Sequence, residues 1–227
     1  MLLIYNITSV LYNIKEVVIV SLLVIIAYKG ESTMPLLSFL LFVFVTSFTP
    51  GPNNIMAMLF ANKYGLKKTI KFCFGVGAGF FVIMLLCSYF NVLLENSIPK
   101  IEFIMTILGA IYMLYLAIKI ISSSNKAKDD NDDKNNSFIA GMLLQFINPK
   151  GILYGITAIS TFILPYHSSN FSLLFFSLFL AFVGFMSTFC WSMFGSVFQT
   201  FLSKYRSQFN VIMALLLVYS AISILTH

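Results

Sequence analysis

Charge is what this sequence has least of. Only 10% of its 227 residues are Asp, Glu, Lys or Arg, against roughly a quarter in soluble domains, so the chain lacks the polar surface that would cover a water-soluble globule. The eight acidic residues fall in connecting stretches, at helix edges or in the first 33 residues, never inside an apolar segment. Histidine is down to His167 and His227, and cysteine to Cys73, Cys87 and Cys190, all three in apolar runs. These absences leave no carboxylate pair, no metal-ligand cluster and no nucleophile–histidine constellation. They also leave no disulfide framework of the extracellular kind. An enzyme is a poor reading, and no metal or cofactor is called for. The formal charge of +6 does not point to nucleic acid, because no basic stripe interleaves with exposed aromatics.

Apolar length is what the chain has in plenty. Hydrophobic residues make up 59% of it, with 25 Phe and 11 Met, and its mean hydropathy is +0.92. A helix needs about 20 apolar residues to cross a bilayer. Six stretches meet or approach that length: 35–60, 72–93, 101–121, 138–162, 172–194 and 208–225. The expected fold is therefore an all-α integral membrane protein of six transmembrane helices over residues 34–227, with the lipid bilayer as solvent. The polar run 122–137 has no apolar period and is expected to be a flexible cytoplasmic loop.

Lys and Arg set the orientation of such a bundle. Lys63, Lys67, Lys68, Lys71, Lys119, Lys126, Lys128, Lys134, Lys204 and Arg206 all follow odd-numbered stretches, whereas the even-numbered connections hold only Lys100. The odd-to-even connections are thus expected to be cytoplasmic, with both ends of the six-helix core outside. Residues 1–33 fit this pattern poorly. Their apolar run, Val17–Tyr28, is twelve residues long, short for a span, and carries no signal-peptide cleavage site. One expectation is that synthesis begins at Met34; the other is a seventh membrane-associated helix.

Two segments violate the apolar pattern inside a span. In the first, Thr49-Pro50-Gly51-Pro52-Asn53-Asn54, the prolines remove the helical donors of the Thr46 and Phe48 carbonyls. Unpaired backbone in hydrocarbon costs several kcal/mol per group and persists only where protein or a water-filled cavity receives it. In the second, Gln145-Phe146-Ile147-Asn148-Pro149-Lys150-Gly151, Pro149 frees the Gln145 carbonyl and a lysine follows it. Lys150 lies about twelve residues, or roughly 18 Å at 1.5 Å per residue, into its stretch. An ionisable group at that depth costs about 2.5–3.5 kcal/mol and is functional by default.

The breaks fall in spans one and four, and three helices per half would insert the second half upside down. Interrupted helices at matching positions of inverted repeats point to the substrate site of a secondary transporter. Half-helix N-termini favour an anion, so a carboxylate-bearing substrate is the natural guest. Thr49, Pro50, Gly51, Pro52, Asn53, Asn54, Gln145, Asn148, Pro149 and Lys150 are the candidate substrate-binding residues. Gly75 and Gly79, and Gly151 and Gly155, have small-xxx-small spacing and are expected to pack helices, within one subunit or across a homo-oligomer. Trp191, Tyr112, Tyr115 and Tyr154 are expected to anchor or pack rather than line the pathway.

TPGPNN at 49–54, the glycine-rich segment 75–79 and NPKG at 148–151 resemble the LysE/RhtB family of bacterial amino-acid exporters, over essentially Met34 to the C-terminus. The resemblance implies a multi-pass protein of the bacterial plasma membrane. It also implies export of a small neutral amino acid, such as cysteine or O-acetylserine, by proton antiport with alternating access. Many members carry an acidic residue where this chain has Asn53. Asn53 and Asn54 then offer carbonyl oxygens to an ammonium, beside the Thr46 and Phe48 carbonyls. The competing readings are a thiol–disulfide electron carrier using Cys73 and Cys87, which lacks a CxxC pair, and a nontransporting membrane subunit. The N-terminal mass of the native protein is expected to match a start at Met34; a mass that includes Met1 would sink that reading.

Overall fold

A computed structural model describes residues 34–90, 98–122 and 136–225. Among these residues the chain is helical and contains no strand. The helices are α1 (Leu36–Phe48), α2 (Pro52–Tyr64), α3 (Leu66–Tyr89), α4 (Ile98–Ser122), α5 (Phe138–Ile147) and α6 (Pro149–Thr157). After α6 come a π-helical segment (Ala158–Ile163), then α7 (Asn170–Val197), α8 (Gln199–Lys204) and α9 (Arg206–Leu225). Each of the six apolar stretches is helical over its described residues, apart from end residues and the breaks at 49–51 and 148. By length and composition α3 and α7 can each cross a membrane alone, and α1 with α2 makes a third candidate bent by 47°. The expectations for residues 1–33, and for 123–135 of the polar loop, lie outside the described residues.

Local sequence explains where the helices start and stop. Ser137 caps α5 by accepting from the Ala140 amide at 3.2 Å, and Ser169 caps α7 by accepting from the Ser172 amide at 3.2 Å, the usual service of an N-cap hydroxyl. The lysine-rich connection expected between the first two spans is almost absent. Gly65 alone turns the chain, at φ +83°, a left-handed conformation that glycine adopts without a Cβ penalty. Lys67, Lys68 and Lys71 then ride on the first turns of α3.

Three apolar clusters hold the bundle together. The first joins α1, α3, α6, the π-helical segment and α7, with Phe39, Val43, Met84, Phe162 and Leu180 buried. Phe39 meets Phe162, Phe176 and Phe179 at centroid distances of 5.8–6.1 Å. Such ring pairs add to plain area burial. The second cluster joins α2 to α4 and α9 through Ile55, Met113 and Leu217, and the third joins α2, α3 and α5 through Ala57, Phe72 and Leu144. The outer faces remain apolar: Phe103, Ile107, Ile111 and Ile118 run along α4, and Phe171, Phe175, Leu178 and Phe182 along α7, all exposed. A stripe of that kind is at home against hydrocarbon rather than water.

The crossing of α3 and α5 is set by glycine on both helices. A Cβ on Gly75 would overlap the Phe138 carbonyl, one on Gly79 would come within 2.7 Å of the Met142 carbonyl oxygen, and one on Gly141 would overlap the Phe72 carbonyl. Close approach of backbones is how membrane helices gain packing without a hydrophobic drive between them. Gly141 belongs to this contact although its spacing gave no sign of it. Because its neighbour is backbone, Gly141→Ala is expected to destabilise the detergent-solubilised protein by about 1–3 kcal/mol, as overpacking does. Leu37→Ala, at a position 71% exposed, should leave the thermal midpoint nearly unchanged; equal midpoints for the two variants would contradict the tight crossing.

Candidate functional site

The first break spans three residues. α1 ends at Phe48, Thr49 is extended (φ −63°, ψ 149°), Gly51 is extended (φ −165°, ψ 173°), and Pro52 opens α2 at its first position. Proline suits that position because its missing N–H would have no helical partner there. The second break spans one residue: α5 ends at Ile147, Asn148 is extended, and Pro149 opens α6. The Pro149 ring lies against α4 at Gly109, where a Cβ would overlap it.

Every carbonyl that the first break releases finds a donor inside the protein. Thr46 O accepts from the Thr49 hydroxyl at 2.8 Å. Ser47 O accepts from the Ser187 hydroxyl at 2.7 Å and from Asn54 Nδ2 at 2.9 Å. Phe48 O accepts from Trp191 Nε1 at 3.1 Å. Thr49 O accepts from Lys150 Nζ at 2.9 Å and from Asn54 Nδ2 at 3.1 Å. At the second break the Gln145 carbonyl accepts from the Asn148 amide at 3.2 Å. The Thr46 and Phe48 carbonyls, expected to be open to a substrate ammonium, are thus already met by side chains of this chain.

Lys150 joins the two breaks. Its ammonium donates to the Thr49 hydroxyl at 2.7 Å and to the Thr49 carbonyl at 2.9 Å, with the Pro50 carbonyl at 3.5 Å. That places a cation at the C-terminal end of α1, where the helix dipole favours it. Gly51 makes room for the lysine, since a Cβ there would sit 3.2 Å from Lys150 Cδ. A partly open cavity of about 430 Å³, its mouth included, lies between the breaks. Lys150, Asn53, Asn54, Gln145 and Asn148 line it, together with Tyr154, and among the described residues no carboxylate does.

The structure brings the expected residues together from both breaks. Pro50, Pro52 and Pro149 shape the backbone, and Thr49, Gly51, Asn53, Gln145, Asn148 and Lys150 face one another. Asn54 has a different surrounding from its neighbour: its amide N–H groups serve Ser47 and Thr49, and its oxygen accepts from the Thr188 hydroxyl at 3.3 Å. Gly155 meets Met84 and Cys87 of α3, whereas Gly151 accommodates the Gln145 amide of α5. Three contributors on α7 were missed: Ser187, Thr188 and, through its indole N–H, Trp191. The available signal was a polar face, Ser187, Thr188, Trp191 and Ser192, on a helix otherwise rich in Phe and Leu. Tyr154, expected only to pack, does both: it is stacked with Phe42 (5.6 Å) and Phe80 (5.3 Å) and lines the cavity.

The cysteines are dispersed. Cys73 lies beside Ser192 Oγ at 3.1 Å, Cys87 is buried in the first cluster, and Cys190 is exposed. Fourteen residues of α3 separate Cys73 from Cys87, about 21 Å at 1.5 Å per residue, far beyond the Cα separation of a disulfide.

A bundle of apolar helices, two of them broken around a shared lysine, belongs to the class of small membrane translocators. The LysE type translocator family matches residues 44–227, and this chain belongs to that family. Over 187 residues, 82% of the chain and 95% of each relative, it is 38% identical to the cysteine/O-acetylserine efflux proteins of Escherichia coli strain K12, Shigella flexneri serotype 5b and Shigella sonnei. No solved structure is a significant match.

The Thr49 hydroxyl serves two partners, so its removal tests the junction. Thr49→Val keeps the shape but strips the donor to Thr46 and an acceptor from Lys150, and should cost about 1–3 kcal/mol. Thr49→Ser should retain most of the stability. Thermal unfolding in detergent reads the difference; identical midpoints for Val and Ser would show that the hydroxyl holds nothing.

Proposed function

We propose that this chain exports small neutral amino acids, cysteine or O-acetylserine among them, from the cytoplasm across the bacterial plasma membrane. The kinship with efflux proteins so named supports the substrate class. The observation that carries the mechanism is the lysine shared by two broken helices. The Lys150 ammonium rests on the oxygens of Thr49 and Pro50. A substrate carboxylate entering the cavity offers it a stronger, charge-assisted partner. Drawing Lys150 off the first break removes a direct link between α1–α2 and α6, and so frees one half of the bundle to move against the other.

In this reading the helices form six crossings in two inverted groups of three, with both ends of the core outside. The lysine-rich turn at α2–α3 and the segment near Lys204 then face the cytoplasm, in keeping with the positive-inside rule. The bundle alternates between an inward-open and an outward-open arrangement around the fixed site. Inward movement of protons drives the export. The separation of Cys73 from Cys87 gives a thiol–disulfide carrier no comparable support.

Everted membrane vesicles from cells producing the full chain should accumulate labelled O-acetylserine when their interior is acidified. A protonophore should abolish the accumulation. Lys150→Ala should reduce it at least tenfold at an unchanged level of protein in the membrane, a loss of 1.4 kcal/mol or more. Normal accumulation by that variant would remove Lys150 from the site.

A further inference from the structure

Two buried amide oxygens on residues lining the cavity have nothing to accept, and the Tyr154 hydroxyl there is likewise unpartnered among the described residues. Asn53 is 7% exposed and Asn148 5% exposed, and among the described residues neither Oδ1 has a hydrogen-bond donor. Both amide nitrogens, by contrast, converge on one atom: Asn53 Nδ2 donates to Gln145 Oε1, and Asn148 Nδ2 donates to the same oxygen at 3.4 Å. A buried acceptor left empty is costly, and one amide oxygen that holds two amide groups by their N–H ends must leave both of their oxygens facing elsewhere. Both asparagines line the cavity.

Gln145 is itself built in. It is 2% exposed and sits between two glycines from different helices. A Cβ on Gly79 would lie 3.1 Å from Gln145 Cβ, and a Cβ on Gly151 would overlap Gln145 Nε2. The glycine of the NPKG segment therefore makes space for this side chain.

We propose that Gln145 is a positioning residue that turns Asn53 and Asn148, one from each helix break, into a paired acceptor for the primary ammonium of the substrate, opposite the lysine that receives its carboxylate. The assignment rests on the reading of this cavity as the substrate site. Two oxygens supplied from two elements match a group with three N–H donors, and an acylated nitrogen, with one N–H and added bulk, does not fit them. Asn54 differs from these two in that its oxygen has a donor within reach, the Thr188 hydroxyl at 3.3 Å. The site thus takes zwitterions with a free amine and rejects their N-acylated isomers.

O-Acetylserine and N-acetylserine are isomers that differ in this group, and O-acetylserine methyl ester differs at the other end. Binding of each to the purified full chain is read from the ligand concentration that half-saturates the rise in thermal midpoint. Wild type should require about tenfold or more of either N-acetylserine or the methyl ester, the scale of one lost hydrogen bond to a charged group. In Gln145→Leu the preference for O-acetylserine over N-acetylserine should shrink to about twofold, whereas the penalty for the ester remains. Lys150→Ala should show the reverse pattern. Equal binding of the two isomers by wild type would overturn the ammonium site while leaving export intact, and an unchanged isomer ratio in Gln145→Leu would overturn the role of Gln145. Should Gln145→Leu not fold, Asn148→Ala must lower the isomer ratio, or the proposal fails. If wild type neither binds these ligands nor accumulates any amino acid in vesicles, the export reading falls and this inference falls with it.

Discussion

A carbonyl that loses its helical N–H inside a membrane has no water to turn to, and its alternative partners must come from the protein. That constraint organises the centre of this bundle. Proline and glycine between Thr49 and Pro52 release a run of carbonyls, and the side chains that answer them come from three places: Thr49 and Asn54 locally, Ser187 and Trp191 from α7, and Lys150 from α6. The break is thereby tied to helices far away in sequence. A kink that only bent a helix would not need so many partners, nor partners from both halves of the chain.

The two breaks are not equivalent. The first has three residues outside helix and is held by hydroxyls, amides, an indole and an ammonium; the second has one, Asn148, with the Pro149 ring wedged against Gly109 of α4. The first is rich in satisfied carbonyls, and both contribute polar side chains to the cavity lining, Asn53 and Asn54 from the first and Gln145, Asn148 and Lys150 from the second. Lys150 spans this difference, belonging covalently to the second break and electrostatically to the first. Small residues do two separate jobs around it. Gly75, Gly79 and Gly141 bring α3 and α5 together, while Gly51 and Gly151 give up volume to Lys150 and Gln145.

The helical stretches and both breaks were legible in the sequence because each is a local signal: apolar length in one case, proline where apolar length should continue in the other. The residues that complete the site were harder to read. Ser187 and Thr188 are ordinary hydroxyl residues of a long apolar helix, and their meaning comes only from the carbonyls placed opposite them in three dimensions. The two neighbouring asparagines looked alike in sequence, yet helix geometry turns Asn54 toward α7 and Asn53 toward Gln145. Gly151 was legible as a small residue but not as the complement of a side chain six positions earlier. The lysine-rich connection was read as a loop because charge suggested solvent; the chain instead turns on Gly65 alone and keeps those lysines helical.

Trp191 is the only tryptophan in the chain, and its indole N–H is bonded to the last carbonyl of α1, at the edge of the first break. A chromophore whose emission depends on that hydrogen bond is therefore fixed to the backbone element that the two halves share. The protein carries its own optical gauge of the junction, with no competing signal from a second indole. Any rearrangement at Phe48 would become a change in intrinsic fluorescence, observable on the native sequence in real time and without a label.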